Sequence, residues 1–222
     1  MKEKIIIKEV LRYMNMPYTE ADDEIKLQIL NTYNELESLA KVRSALSYFE
    51  LDIKENCIAF KDTSILIASE DLKRLFQNSQ GAFLLAVTLG VDVDKKINSV
   101  QQRDMLQALL FNACANVMIE SACDQIESKI IDQLEEDQYL TMRYSPGYGD
   151  VSLEVQGELL TVLDTTRKIG LTATKSGMLI PLKSVTAFIG LSNVKENRAK
   201  KCSECLMHET CTYRRRGDRC GS

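Results

Sequence analysis

Apolar residues recur along this chain at two spacings, and the spacing changes from segment to segment. From Thr19 to about Leu39, Ile25, Ile29, Leu30, Tyr33 and Leu36 fall at helical intervals behind an acidic first turn of Glu20, Asp22 and Asp23, which predicts a helix. Ahead of it, "KIIIKEVLRYM" (residues 4–14) predicts a short strand or extended piece leading into a helix that Pro17 ends. "ALSYFELDI", "CIAF" and "SILIA" read as strands, with "KDT" as the hairpin connection between the last two. "SEDLKRLFQN" reads as a helix with a serine N-cap. "AFLLAVTLG" is a continuous apolar run closed by Gly90, the pattern of a buried strand.

The centre is helical. "DVDKKINSV" predicts one short helix, and residues 102–137 predict a long one with an apolar stripe and an acidic stripe. A further helix is expected from about Leu153 to Leu163. "GMLIPLKSVTAFIGL" then gives two strand pieces interrupted at Pro181. Helices are grouped rather than alternating strictly with strands. The pattern predicts an α+β fold with a mixed or antiparallel twisted sheet. From about Asn197 the chain turns polar, basic and cysteine-rich, which divides it into a domain over residues 1–196 and a tail over 197–222.

Composition narrows the function classes. A formal net charge of -4 with interspersed signs argues against nucleic acid or an anionic membrane surface as the main partner. No apolar run approaches the roughly 20 residues of a spanning helix, and the opening "MKEKIIIKEV" does not read as a signal peptide. Seven cysteines, an odd number, point to a reducing cytoplasm with free thiols or metal ligands. The one histidine, His208, lies in the polar tail, so a histidine-based triad has little to draw on. Cys114 and Cys123 fall in the small-residue part of the long helix and read as core packing.

The stretch "RYSPGYGD" (residues 143–150) carries the most local chemistry. Gly147 and Gly149 let a ligand approach the main chain, and Pro146 pushes Ser145 to an extended conformation. Arg143 offers a planar fork for a carboxylate or phosphate, and Tyr148 offers an aromatic face that attracts cations such as a sulfonium. Residue types alone leave two readings open: a ligand loop, or a Pro-Gly turn with a salt-bridged arginine.

"RYSPGYGDVSLEVQ" resembles the Arg-x-x-x-Gly-Tyr signature of the activation (reactivation) domain of cobalamin-dependent methionine synthase. "KIGLTATKSGMLIPLKSVTAFIG" resembles the same family's downstream pattern through Gly170, Thr174, Ser176, Pro181, Ser184 and Val185, with Leu179 where methionine is usual. "EVLRYM" and "VTLGVDVDKKI" look like stand-alone versions of the domain, and the resemblance covers roughly residues 5 to 192. It implies binding of S-adenosylmethionine by Arg143 and Tyr148, with backbone contacts from Ser145 and Gly147 and a helix glutamate that best matches Glu120. Arg143 would clamp the ligand carboxylate, Glu120 would face its ammonium or sulfonium, and Tyr148 would pack against it. It also implies a mechanism: an electron donor returns cob(II)alamin to cob(I)alamin, whose cobalt takes the methyl group and re-forms methylcobalamin. No side chain would act as acid or base. The corrinoid would come from a partner, a cobalamin-binding methionine synthase subunit. An accessory protein for another corrinoid methyltransferase, or an interaction module without methyl-donor chemistry, are the rival readings.

The tail is not explained by that resemblance. Cys202 and Cys205 have CxxC spacing and, with Cys211 and Cys220, could ligate zinc or an iron–sulfur cluster. His208 could replace Cys220, and a tail of free thiols is the other reading.

Overall fold

The structure, a computed structural model, describes residues 2–195 and Glu209. It opens with two helices, α1 (Lys2–Tyr13) and α2 (Asp23–Leu39). Three strands follow, β1 (Arg43–Ile53), β2 (Ile58–Phe60) and β3 (Leu66–Ile67), then α3 (Glu70–Phe76) and β4 (Ser79–Thr88). The middle is α4 (Val91–Gln101), α5 (Met105–Ile131) and the short β5 (Tyr139–Leu140). The described part ends with α6 (Val155–Val162), α7 (Thr165–Ile169), β6 (Thr172–Ala173), β7 (Leu179–Ile180) and β8 (Ser184–Ser192).

Six strands form one sheet in the order β3-β2-β1-β4-β8-β5, and β6 pairs with β7 in a separate hairpin. Every pairing is antiparallel. The fold is therefore α+β, with an antiparallel rather than mixed sheet. Strand β4 is central and buried on both faces, which is why its sequence is an unbroken apolar run. Leu85 and Val87 point into a core shared with α1, α2, α4 and α5. Ala82, Leu84 and Ala86 point into a second core with α3, α6 and α7. Alternation across the pleat thus splits one strand between two cores.

The start of the chain differs from expectation. Residues 2–13 are helical throughout, with no strand or extended piece. The triple isoleucine lowers helix propensity, but Ile7, Val10 and Leu11 fall at i, i+3 and i+4 and are buried, while Ile5 is exposed. Packing of that stripe on α5 and α2 decides the conformation. The long helix is shorter than expected. Asp104 caps it, accepting the Gln107 N–H at 2.9 Å, and it ends at Ile131. The acids Glu135, Glu136 and Asp137 would sit badly at a helix C-terminus. Helix α5 is long and apolar enough to cross a membrane by length and composition, yet its apolar stripe is the centre of the helical core. Strands β5 and β6 and helix α7, each five residues or fewer, are additions to the expected elements.

Candidate functional site

A polar stripe runs down α5 beside the sheet. Asn112, Asn116, Glu120, Asp124 and Glu127 follow at intervals of four, four, four and three, so they share one helix face. After α5 the chain turns back along β8. Tyr139 pairs with Ser192 and Leu140 with Leu191; Thr141 donates its N–H to Gly190 O at 2.9 Å. Tyr144 and Phe188 exchange two backbone hydrogen bonds, at 3.0 and 2.8 Å. This edge pairing fixes the backbone on either side of Met142 and Arg143.

Arg143 reaches the stripe and meets three carboxylates. One terminal nitrogen donates to Asp124 Oδ1 at 2.8 Å and Glu127 Oε1 at 2.5 Å; the other donates to Glu120 Oε2 at 2.9 Å. Glu127 is nearly buried, with its side chain 12% exposed, whereas Asp124 is 69% exposed. Burial works against the guanidinium charge, but Glu127 and Asp124 outweigh it, and the Arg143 pKa is raised. Three acids against one base leave the group electronegative.

The loop that follows is braced at its far end. Asp150 accepts from the Ser69 hydroxyl, from Glu70 N–H at 2.6 Å and from Asp71 N–H at 3.4 Å. Burial would raise the Asp150 pKa, yet these bonds hold it below the usual value. Ser69 is meanwhile the N-cap of α3, accepting Leu72 N–H at 2.9 Å. The Tyr144 hydroxyl donates to Asp71 Oδ2 at 3.3 Å; burial and that carboxylate push its pKa up to about 12. Gly147 and Gly149 have φ of +87° and +51°, and a Cβ on Gly149 would collide with the Tyr144 hydroxyl and the Asp71 carboxylate.

Between loop and stripe lies a cleft of about 450 Å³. Glu120, Asp124, Glu127, Arg143, Ser145 and Tyr148 line it, with Met142, Tyr144 and Val185. Four of the five residues expected at a ligand site, Glu120, Arg143, Ser145 and Tyr148, thus face one cavity. The fifth, Gly147, does not line it; it turns the backbone and donates its N–H to Val151 O at 2.9 Å. Tyr148 is 65% exposed at the mouth. Asp124 and Glu127 were missed from sequence, although their helical spacing from Glu120 was visible. The arginine is salt-bridged, and the loop lines a cleft.

Cys114 and Cys123 are buried, as expected, and burial pushes both thiols up to about 12. Among the described residues no group of three or more His, Cys, Asp or Glu is placed to hold a metal. Cys202, Cys205, Cys211, Cys220 and His208 lie outside the described residues.

The fold and cleft define an α+β domain that holds its candidate ligand site between one long helix and a sheet-edge loop. The family model "Vitamin B12 dependent methionine synthase, activation domain" matches residues 16–216, and the chain belongs to that family. The match continues past the change in composition near residue 197 and includes Cys202, Cys205 and Cys211. Among solved structures, the chain is similar to the MetH reactivation domain bound to AdoHcy, with a TM-score of 0.62 and 13% identity. The likeness covers 96% of this chain and 83% of that one, and it concerns the fold. No curated protein matches the chain.

Proposed function

We propose that this chain binds S-adenosylmethionine in the cleft of Glu120, Arg143, Ser145 and Tyr148 and presents its methyl group to a cobalamin held by a methionine synthase partner. The observation that carries the reading is the electronegative cleft itself: three carboxylates fixed around one arginine, with an aromatic face at the mouth. A sulfonium and an ammonium are cations, and a confined row of acids favours both. Tyr148 adds a face for the sulfonium or the adenine ring. The volume falls within the roughly 300–1,000 Å³ of small-molecule sites.

The role of Arg143 changes in emphasis. Its side-chain hydrogen bonds go to protein carboxylates, so clamping a ligand carboxylate would require Asp124, its most exposed partner, to give way. Spacing the acids is the simpler task for it. Gly147 shapes the loop between Ser145 and Tyr148. The partner's cobalamin supplies the nucleophilic metal, and a separate donor supplies the electron. This chain's side chains orient the electrophile and transfer no proton. The unpaired thiols of Cys57, Cys114 and Cys123 suit a reducing cytoplasm. On the same reading Cys202, Cys205, Cys211 and Cys220 form a ligand set for zinc or an iron–sulfur cluster, checked by elemental analysis of protein purified without air or chelator.

Calorimetric titration tests the binding. S-adenosylmethionine should bind at one site, S-adenosylhomocysteine should compete, and Glu120→Gln should weaken the sulfonium ligand by about tenfold. Absence of binding heat together with an unperturbed melting temperature at millimolar ligand would exclude the reading.

A further inference from the structure

A second hollow, of about 170 Å³, adjoins the cleft and shares Glu120 and Val185 with it. Tyr13, Asn116, Lys183 and Ser184 contribute its polar wall. Here the half-buried Lys183 ammonium donates to Asn112 Oδ1 at 2.5 Å and Asn116 Oδ1 at 2.7 Å. Those two bonds use two of its three donors. Among the described residues Lys183 makes no ion pair, in contrast to Arg143. Its backbone is also fixed: Asp94 accepts the N–H groups of Leu182 at 2.5 Å and Lys183 at 3.2 Å, and Lys183 O accepts from Leu89 N at 2.9 Å. A positive charge is therefore pre-positioned, held by neutral amides, one helical turn from Glu120.

We infer that Lys183, with Asn116, forms the subsite for the α-carboxylate of the ligand, while Glu120 at the border of the two cavities takes its α-ammonium. The inference rests on the proposed binding of S-adenosylmethionine and specifies how the amino-acid end is read. Residues 116 and 120 are separated by about 6 Å along the helix axis, a span that suits adjacent opposite charges of an amino acid. The sulfonium and adenosine then occupy the larger cleft beside Asp124 and Tyr148. Amide oxygens satisfy two Lys183 donors without neutralising the charge, whereas the acids around Arg143 more than cancel its charge. Partial burial lowers the Lys183 pKa, with Asp94 acting the other way. Tyr13, whose hydroxyl pKa is raised by burial and by Glu120, is a further titratable group in the wall.

The test compares S-adenosylmethionine with decarboxylated S-adenosylmethionine by calorimetry. Wild-type protein should prefer the carboxylated ligand by about tenfold or more. Lys183→Met should abolish that preference while leaving the affinity for the decarboxylated ligand within about twofold. Asn116→Asp, which hands Lys183 a carboxylate of the same shape, should abolish it too, and reads out the subsite even where Lys183→Met folds poorly. Arg143→Met should keep the preference. Survival of the preference in both subsite variants, or its loss in Arg143→Met alone, overturns the assignment and moves the carboxylate to Arg143. Equal wild-type affinity for the two ligands overturns the subsite alone. Wild-type protein that binds neither ligand overturns the S-adenosylmethionine reading and the subsite with it.

Discussion

Arg143 and Lys183 reach the same stripe of α5 from neighbouring segments of the sheet edge, and they are held in opposite ways. Arg143 meets Glu120, Asp124 and Glu127, and its pKa is raised. Lys183 meets the amide oxygens of Asn112 and Asn116, and its pKa is lowered. A cation paired inside the protein works as a brace, because its charge is already answered. A cation solvated by amides keeps its charge for something else. One helix face thus carries a mechanical half and a receptive half, and the change from asparagine to acid along the stripe marks the boundary.

The sharpest way to break this comparison is to remove both cations in turn and measure stability. Arg143→Met leaves Glu127 nearly buried beside two other carboxylates, and should cost about 2–3 kcal/mol in urea unfolding, somewhat below a fully buried pair because Asp124 and Glu120 are partly hydrated. An equal loss in Lys183→Met would erase the distinction between brace and receptor.

A double-mutant cycle refines the brace. Coupling between Arg143 and the largely buried Glu127 should be about 1–2 kcal/mol, and coupling to the exposed Asp124 below about 0.5 kcal/mol. Equal couplings would show that exposure does not set the strength of these bonds.

The pH dependence of binding separates the two cations again. The folded Lys183 pKa is depressed below 10.5, so its ammonium is lost as pH rises through that lowered value, while Arg143 stays charged. The roughly tenfold preference for a carboxylated ligand, worth about 1.4 kcal/mol, should therefore be full near pH 7 and fade before pH 10.5 is reached. Asp94 and Glu120 are the acids near Lys183, and Tyr13, raised above 10.0, stays protonated through most of that window. A preference unchanged to pH 10.5 would remove Lys183 from the subsite.

The smallest effect is the stability of Lys183→Met without ligand. Relief of a desolvated charge offsets the two lost hydrogen bonds, and the net change should lie within about 1 kcal/mol. The sign is checkable by pH. A depressed folded pKa means that the wild-type lysine contributes most at high pH and is a liability as pH falls through that pKa, so wild-type protein should gain on the variant as pH rises toward 10.5.

Much of the fold is legible in the sequence. The buried run of β4, the serine cap of α3 and the amphipathic α2 follow from local pattern, because each element's own residues decide it. Residues 4–7 misled because three isoleucines favour a strand locally, and the stripe of Ile7, Val10 and Leu11 matters only once α5 is there to receive it. At the site, Arg143, Tyr148 and Glu120 were legible from motif and helix position. Their arrangement was not. That Arg143 meets the α5 acids depends on Tyr144 pairing with Phe188, a contact 44 residues apart in sequence. Lys183 carried no signal in the sequence, because nothing local shows that Asn112 and Asn116 would reach it.

Strand β8 sits between β4 and β5, and it is the last described strand of the chain. The loop wall of the cleft leans on it: Phe188 holds Tyr144, Gly190 holds Thr141, and Val185 lines the cavity directly. During synthesis α5 and the 143–150 loop therefore leave the ribosome well before the strand that organises them. Both layers close over long sequence separations, α1 and α2 onto α5 in the helical layer and β4 onto β8, about 100 residues further on, in the sheet. The loop side of the cleft is thus completed late, once β8 can pair with both β4 and β5. A nascent chain stalled ahead of β8 would carry the α5 acids and the whole 143–150 loop and lack the strand that holds them together.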